Sequence, residues 1–195
     1  MRHNIVIDGL AFRLRPIADS DASFVINLRS DPTLSRFLHA TPLIVENQLS
    51  WQAQYYERPG DWYFVLEHRC DSKPEGLISL YDHNTQKRSA EWGRWILRPN
   101  SLAAVESAWL IYRCAFEQLD LSEVYCRTVA DNQSVVSFHD SCGISKRTLL
   151  PSHFNLNGRT LDAVEHRVDE VTWRTLRPRL EQLAQRVARR LQRDA

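Results

Sequence analysis

The residues that first suggest chemistry form a polar turn, Arg98 to Ala104, between a strand-like run and a helical pattern. The apolar residues that recur every three to four positions after it are Leu102, Val105, Trp109, Tyr112, Phe116 and Leu119. Unpaired N–H groups at a helix N-terminus can bind phosphate. Such turns usually contain glycine, because the ligand approaches the backbone closely. This turn has none, so it is either a ligand cradle at a helix beginning near Ser101 or only a turn.

The composition narrows the classes of function. The formal net charge is +1, so the chain lacks the strongly basic overall charge that is typical of nucleic-acid-binding proteins. No apolar run reaches the roughly 20 residues that a membrane-spanning helix needs. The first residues, MRHNIVIDGLAFRLRP, are too polar for a signal peptide. We therefore expect a cytoplasmic globular protein with no nucleic-acid partner and no membrane span.

Cysteine usage gives little sign of a metal site. The four cysteines stand at positions 70, 114, 126 and 142, and no two have CxxC spacing. Free, buried thiols in a reducing compartment are the simplest interpretation. Cys142 could act as a nucleophile, but no sequence feature distinguishes it. We expect no bound metal.

The elements that must position these residues follow from turn signals and periodicity. Asp8–Gly9 and Asn157–Gly158 predict two hairpin turns, and Gly143 predicts a helix end. A break in the last helix is expected near Pro178. The predicted order is short helices, a strand meander, a long helix, a strand, a helix and a hairpin. That order indicates one mixed α/β domain with a central sheet.

The order and spacing of several segments resemble the GNAT acyltransferase superfamily. The segments are FRLRPIADSDASFVINLRSDP, AEWGRWIL with the long helix after it, AFEQLDLSEVYCRTVADNQSVVSFHDSCGI and the hairpin FNLNGRTLDAV. The resemblance covers about residues 10 to 170. It implies a central mixed twisted sheet with splayed strands and flanking helices, and acetyl transfer from acetyl-CoA. We assign residues 1–170 to this domain and residues 171–195 to an added amphipathic, Arg-rich helix.

The resemblance also implies where coenzyme A binds. The pantetheine arm would pair with the strand that ends at Ile96 and Leu97, and the pyrophosphate would lie on the helix N-terminus. The family pattern Gln/Arg-x-x-Gly-x-Gly/Ala has two possible registers here. One places Arg98 first and Ser101 and Ala103 on the glycines, and it is the register we prefer. The other places Leu102 and Ala104 there, where leucine would obstruct close approach.

Catalytic residues are carried over from the same resemblance. His139 stands where many relatives have a tyrosine that protonates the leaving thiolate, and an imidazolium could do the same. The alternative is a histidine on a helix surface. Asn132 matches an asparagine that contacts the coenzyme, although a helix N-cap explains it equally well.

The base that would deprotonate the acceptor amine is less distinct. Glu91 begins the strand predicted to splay, near where some relatives place a glutamate that works through water. Tyr81, Asp82 and His83 end the preceding strand and could face the acceptor. Each charged residue among them could instead be a solvated charge at a strand end.

The acceptor is suggested by the region from Leu28 to Glu67, which resembles nucleotide-sugar N-acetyltransferases such as the enzyme of pseudaminic acid biosynthesis. Arg29 would bind a substrate phosphate, or else form a surface ion pair. Four aromatic residues could stack on or face a sugar: Trp51, Tyr55, Tyr56 and Trp62. Alternatively, Trp51 and Tyr55 form a helix core stripe at i and i+4. Two alternatives stay open: acetylation of a protein N-terminus, as in the ribosomal-protein branch, and a degenerate domain that only binds a partner.

The C-terminal segment is basic and amphipathic. It carries seven arginines after residue 173 against Glu181 and Asp194, with Leu180, Leu183, Val187 and Leu191 along one stripe. Docking on its own domain or at the seam of a homodimer is the first interpretation. An anionic partner is the alternative.

Overall fold

A computed structural model describes residues 1–39 and 42–193. Its strands are β1 (Ile7–Asp8), β2 (Phe12–Pro16), β3 (Trp62–His68), β4 (Pro74–Asn84), β5 (Ser89–Leu97), β6 (Glu123–Val129), β7 (Arg147–Leu156) and β8 (Arg159–Asp169). Its helices are α1 (Ala22–Ser30), α2 (Pro32–Ser35), α3 (Val45–Tyr56), α4 (Ala104–Arg113), α5 (Gln133–Cys142) and α6 (Glu170–Arg193). The predicted mixed α/β fold with a central sheet is confirmed.

The strands form one eight-stranded sheet in the order β1-β2-β3-β4-β5-β6-β8-β7. Neighbouring strands are antiparallel except β5 and β6, which are parallel. That parallel pairing extends only from Ser89 opposite Glu123 to Glu91 opposite Tyr125. Beyond Glu91 the two strands separate, so the splay predicted between them is confirmed.

A bulge reshapes β5 just inside the splay. Leu77 of β4 faces Ile96, whereas Ser79 faces Gly93, so β5 carries one residue more than its partner between these pairs. Arg94 lies in the bulge with φ of +49°, a left-handed conformation that non-glycine residues rarely adopt. A bulge bends the strand and redirects its side chains. The bend lies where the gap begins to open.

The sheet has a hydrophobic cluster on each face. Helices α1 and α3 cover one face, where the buried residues include Val25, Tyr55, Tyr63, Val65 and Leu77. Helices α4 and α6 cover the other, where they include Phe64, Leu80, Trp92, Leu110 and Trp173. Successive strand residues alternate between the two faces, which explains why Glu91 and Trp92 enter different environments.

The C-terminal helix α6 packs on the domain itself. Trp173 stacks on Phe116 with ring centroids 5.5 Å apart, and Leu176, Leu180 and Ala184 lie in the cluster beneath α4. The expected break at Pro178 is wrong: α6 is continuous from Glu170 to Arg193. Buried contacts on both sides of Pro178 hold the helix together, although proline lacks the N–H for one helical bond.

The predicted turns and thiols can be compared with the structure directly. Asn157 and Gly158 have φ of +52° and +77° and join β7 to β8, and Gly143 ends α5 with φ of +97°, as predicted. Cys114, Cys126 and Cys142 are buried free thiols, but Cys70 is exposed, so the expectation of burial is wrong there. Cys70 lies in the exposed turn between β3 and β4.

Candidate active site

A cavity of about 590 Å³ lies at the splay between β5 and β6. Its wall on the α1 and α3 face includes Arg29, Trp51, Arg58, Tyr63, Tyr81, Arg127 and Phe154. Its wall toward α5 includes Trp92, Trp95, Cys126, Asn132, Val135 and His139. The cavity therefore reaches both faces of the sheet through the gap, so two reactants could approach each other from opposite sides.

Glu91 is buried at the closed end of the splay, with 5% of its surface exposed. The Tyr81 hydroxyl donates to its Oε1 at 3.2 Å, and Nη1 of Arg127 donates to its Oε2 at 3.1 Å. Burial raises the pKa of Glu91 to about 7, and the charge of Arg127 opposes the rise. The solvated strand-end interpretation of Glu91 is therefore wrong, because both oxygens are buried in hydrogen bonds.

Tyr81 connects Glu91 to the cavity. It lines the cavity, whereas Glu91 lies behind it. A Cβ placed on Gly93 would come within 2.6 Å of the Tyr81 hydroxyl, so only glycine lets the phenol lie across β5 at this point. Burial raises the pKa of Tyr81 well above its usual range. The phenol therefore keeps its proton and presents a hydroxyl near the gap.

His139 lies on α5, on the opposite face of the gap. It is 1% exposed, so the alternative of a surface histidine is wrong. Its Nε2 is 3.5 Å from Cys126 Sγ, and its ring packs 5.2 Å from that of Trp92. Burial lowers the pKa of His139 to about 3, with a further lowering from His166. At neutral pH the ring is therefore uncharged, and its buried Nδ1 has no hydrogen-bond partner within the described residues.

The predicted coenzyme loop lies outside the cavity wall. The helix α4 begins at Ala104 rather than near Ser101, because Ser101 Oγ accepts the N–H of Ala103 at 3.1 Å and forms a turn first. Ala103 is buried in the core, and Leu102 is half-buried. Leu97 is half-buried as well, while Ile96 packs beneath α1. These residues follow one another along the end of β5 and the start of α4.

Two other coenzyme candidates lie on either side of the gap. The Arg98 guanidinium is 5.4 Å from the ring of Phe24, on an exposed part of the turn. Asn132 occupies the N-cap position of α5 and lines the cavity. Its side-chain oxygen accepts a hydrogen bond from Ser134 at 2.9 Å rather than capping the helix.

The substrate candidates separate into two groups. Arg29 and Tyr81 line the cavity, and an Arg29 Nη2 donates to the carbonyl of His39 at 3.0 Å. Asp82 and His83 do not line it: Asp82 is exposed, and His83 packs against Trp62 at 5.3 Å. Asp82 nevertheless lies close enough to add to the raised pKa of Glu91.

Several residues that form the cavity were not predicted from sequence. Arg94 forms two hydrogen bonds to Asp61, at 2.6 and 2.9 Å, and its guanidinium lies 4.6 Å from the ring of Tyr81. Trp95 donates from its indole to Ser107 at 3.0 Å and packs 4.9 Å from Phe138. Tyr55 is buried and stacks on Trp51, as expected for a helix core stripe. Trp51 also lines the cavity, so it could face a sugar as well.

Comparison with known proteins decides the family. The family model of the GNAT acetyltransferase domain matches residues 12–145. The chain belongs to the GNAT acetyltransferase family. It is accordingly an N-acetyltransferase, and members of its family use acetyl-CoA. No curated protein matches the chain.

Solved structures of GNAT proteins share the fold. A GCN5-related N-acetyltransferase from Brucella melitensis is 18% identical, covering 93% of this chain and 86% of the other, with a TM-score of 0.80. Apo FdhC, described as a nucleotide-linked sugar GNAT, is 25% identical, covering 89% and 94%, with a TM-score of 0.73. A mutant of the spermidine N-acetyltransferase SpeG from Vibrio cholerae is 20% identical, covering 85% and 97%, with a TM-score of 0.73.

The described residues contain neither a cluster of metal ligands nor a membrane-spanning helix. Within residues 1–39 and 42–193, no group of three or more His, Cys, Asp or Glu side chains could hold a metal ion. No helix in the same ranges is long and apolar enough to cross a membrane.

Proposed function

We propose that this GNAT enzyme transfers acetyl from acetyl-CoA to the amine of a nucleotide-linked amino sugar, by direct attack of the amine on the thioester. The observation that carries the proposal is the charge of the acceptor side. Arg29 and Arg58 line the cavity there beside Trp51, and no described lining residue is Asp or Glu. An anionic acceptor with a flat base or sugar fits such a wall.

The comparisons point to different acceptors in different relatives. FdhC is called a nucleotide-linked sugar GNAT, which agrees with the proposed class. SpeG is a spermidine N-acetyltransferase, but its 20% identity supports only a shared fold. A polycationic acceptor would be repelled by Arg29 and Arg58, with no lining carboxylate among the described residues to offset the repulsion. The electrostatics therefore favour the sugar nucleotide.

Glu91 is the proposed base. With a pKa of about 7, a substantial fraction is ionised at neutral pH and can take up a proton. Because Glu91 lies behind Tyr81, the proton passes from the ammonium form of the acceptor through the Tyr81 hydroxyl or through a water molecule. Tyr81 donates to Glu91 already and so is oriented for that relay.

His139 is the proposed donor to the leaving thiolate. The sequence-based hypothesis used an imidazolium, but a pKa of about 3 makes the cation rare at neutral pH. We therefore assign the role to a neutral ring N–H, which stabilises developing negative charge by a hydrogen bond. We assign the proton to Nδ1, because Nε2 faces the Cys126 thiol whereas the buried Nδ1 has no partner among the described residues.

Coenzyme binding is proposed along the open edge of β5 and the start of α4. Ile96 and Leu97 would offer backbone groups to the pantetheine arm, and Asn132 would contact it from α5. Arg98, the Ser101 hydroxyl and the amides from Leu102 to Ala104 would bind the pyrophosphate. Ser101 already uses the Ala103 amide, so coenzyme binding must displace or share that hydrogen bond.

The test compares acceptors with purified enzyme and acetyl-CoA. We expect kcat/KM for a UDP-4-amino sugar to exceed that for spermidine or an N-terminal peptide at least about 100-fold, since two cationic contacts are each worth roughly tenfold. Arg29→Ala and Arg58→Ala should remove this preference, while Arg13→Ala, at the far end of the sheet, should keep it. A preference for spermidine or peptide would refute the acceptor. Calorimetry that detects no acetyl-CoA binding at millimolar concentration would refute catalysis.

A further inference from the structure

Arg127 of β6 is shared between two carboxylates on neighbouring strands. Its Nη1 donates to Glu91 of β5 at 3.1 Å, and its Nε donates to Glu165 of β8 at 2.9 Å. The Arg127 side chain is 26% exposed, whereas those of Glu91 and Glu165 are 7% and 6% exposed. The guanidinium is therefore the charged group that both buried carboxylates meet.

We propose that Arg127 is a positioning residue, which holds the Glu91 carboxylate toward Tyr81 while its guanidinium is shared between Glu91 and Glu165. The proposal rests on the proposed role of Glu91 as the base. It adds that the strength of this base is set by a chain of charges across β5, β6 and β8.

The surroundings of Arg127 keep it in this shared position. Its guanidinium lies 4.7 Å from the ring of Tyr125, and that of Arg167 lies 5.0 Å from the same ring. Arg167 also donates to the other oxygen of Glu165, at 2.7 Å. Glu165 is thus held by two guanidiniums, which leaves part of the Arg127 charge for Glu91.

The charged and titratable groups that act on Glu91 come from three packed strands. From β4, the Tyr81 hydroxyl donates to it, and Asp82 repels it. From β6, Arg127 attracts it, and from β8 Glu165 repels it. Arg127 is the cation that donates directly to Glu91, so its removal should raise the pKa of Glu91.

Substitutions of Arg127 and Glu165 should therefore shift the pKa of Glu91 in opposite directions. Arg127→Gln removes the attraction, and we expect the pKa of Glu91 to rise by about one unit or more. Glu165→Gln removes a repulsion and leaves Arg127 more available, so the pKa should fall, by about half a unit. Arg127→Lys keeps the charge but cannot bridge both carboxylates, so its shift should be upward and smaller than that of Arg127→Gln.

Two measurements separate the proposed role of Arg127 from the proposed role of Glu91 as the base. The first is the titration of Glu91 by carbon-13 NMR of the glutamate carboxyls, assigned with Glu91→Gln. The second is the acidic limb of the pH profile of kcat/KM. Arg13→Gln is the matched control, because Arg13 binds the buried Glu67 at 2.5 Å in a similar pair on the other half of the sheet. It should move neither readout.

The outcomes distinguish the two claims. Opposite shifts in both readouts support Arg127 and Glu91 together. Opposite NMR shifts with an unchanged pH profile keep the proposal for Arg127 and refute Glu91 as the base. An NMR pKa that stays within about 0.3 unit in Arg127→Gln and Glu165→Gln overturns the proposal. If Arg127→Gln fails to fold, Glu165→Gln and Arg127→Lys decide it by the same criteria.

Discussion

Glu91→Gln tests the buried carboxylate at the base of the splay without any substrate. Burial raises the pKa of Glu91 from 4.5 to about 7, against the opposing charge of Arg127. The folded protein therefore keeps a proton that the unfolded chain releases. The contribution of Glu91 to stability is complete below pH 4.5 and is lost as the pH rises through 7.

The magnitude follows from these two pKa values. One pKa unit corresponds to about 1.4 kcal/mol. With a native pKa of about 7 and an unfolded value of 4.5, the linkage costs the wild type about 2.5 kcal/mol between pH 5 and pH 8. Glutamine cannot ionise, but its oxygen still accepts a hydrogen bond from Tyr81 or Arg127. Whatever its stability at pH 5, the variant should gain about 2.5 kcal/mol over the wild type by pH 8.

Urea unfolding at pH 5, 6.5 and 8 measures this difference, with the six tryptophans as the fluorescence signal. The quantity to compare is how much the difference in unfolding free energy between variant and wild type changes from pH 5 to pH 8. A constant effect of altered hydrogen bonds cancels from that change. Glu46→Gln, at an exposed carboxylate on α3, controls for the loss of one negative charge. Parallel stability curves for the wild type and Glu91→Gln between pH 5 and pH 8 would show that Glu91 does not have a raised pKa in the folded protein.

Four other predictions address separate parts of the molecule. His139→Ala should lower kcat about 10²-fold without changing the pH profile between pH 6 and 8, since the ring is already neutral there; a lost limb in a rate-against-pH series would contradict this. Arg58→Ala should raise KM about tenfold for an anionic acceptor and leave KM for acetyl-CoA unchanged in initial-rate assays. Gly93→Ala should displace the Tyr81 hydroxyl, which lies 2.6 Å from the added Cβ, and reduce kcat about tenfold; the melting temperature should also fall, because the buried Glu91 loses a hydrogen bond. Trp173→Ala should cost about 3–5 kcal/mol in denaturant unfolding, because a buried ring is lost between α6 and α4.

Local signals predicted most of the elements because their causes are local. The Asn157–Gly158 turn needs two positive φ values, and Gly143 needs one, so sequence alone identifies both positions. The run VENQLSWQAQYY contains neither glycine nor proline, and it coincides with α3. Pro178 failed as a signal because the burial of Trp173 and Leu180 on either side, which depends on distant residues of α4, outweighs one missing hydrogen bond.

The site was less predictable because its geometry depends on long-range pairing. Arg94 becomes a cavity residue through a bulge between β4 and β5; the adjacent Gly93 is a local sign of a bulge, but it does not reveal that Arg94 faces a cavity. Arg127 looks like any strand arginine until the strand order brings Glu91 and Glu165 to its two sides. Residue type identified His139 as a candidate, but only its burial reveals that it is uncharged at neutral pH.

The alternation of strand residues gives the gap two chemically different sides. Glu91 and Arg127 project to one face, where they form an ion pair. The pKa of Glu91 in this pair is about 7. Cys126, the residue before Arg127, projects to the other face, where burial raises its own pKa and leaves it beside a neutral His139. Of these groups only Glu91 titrates near neutral pH, whereas Cys126 and His139 are uncharged there. The enzyme should accordingly show one acidic limb in its pH profile, set by Glu91, and the thioester side should contribute none near neutral pH.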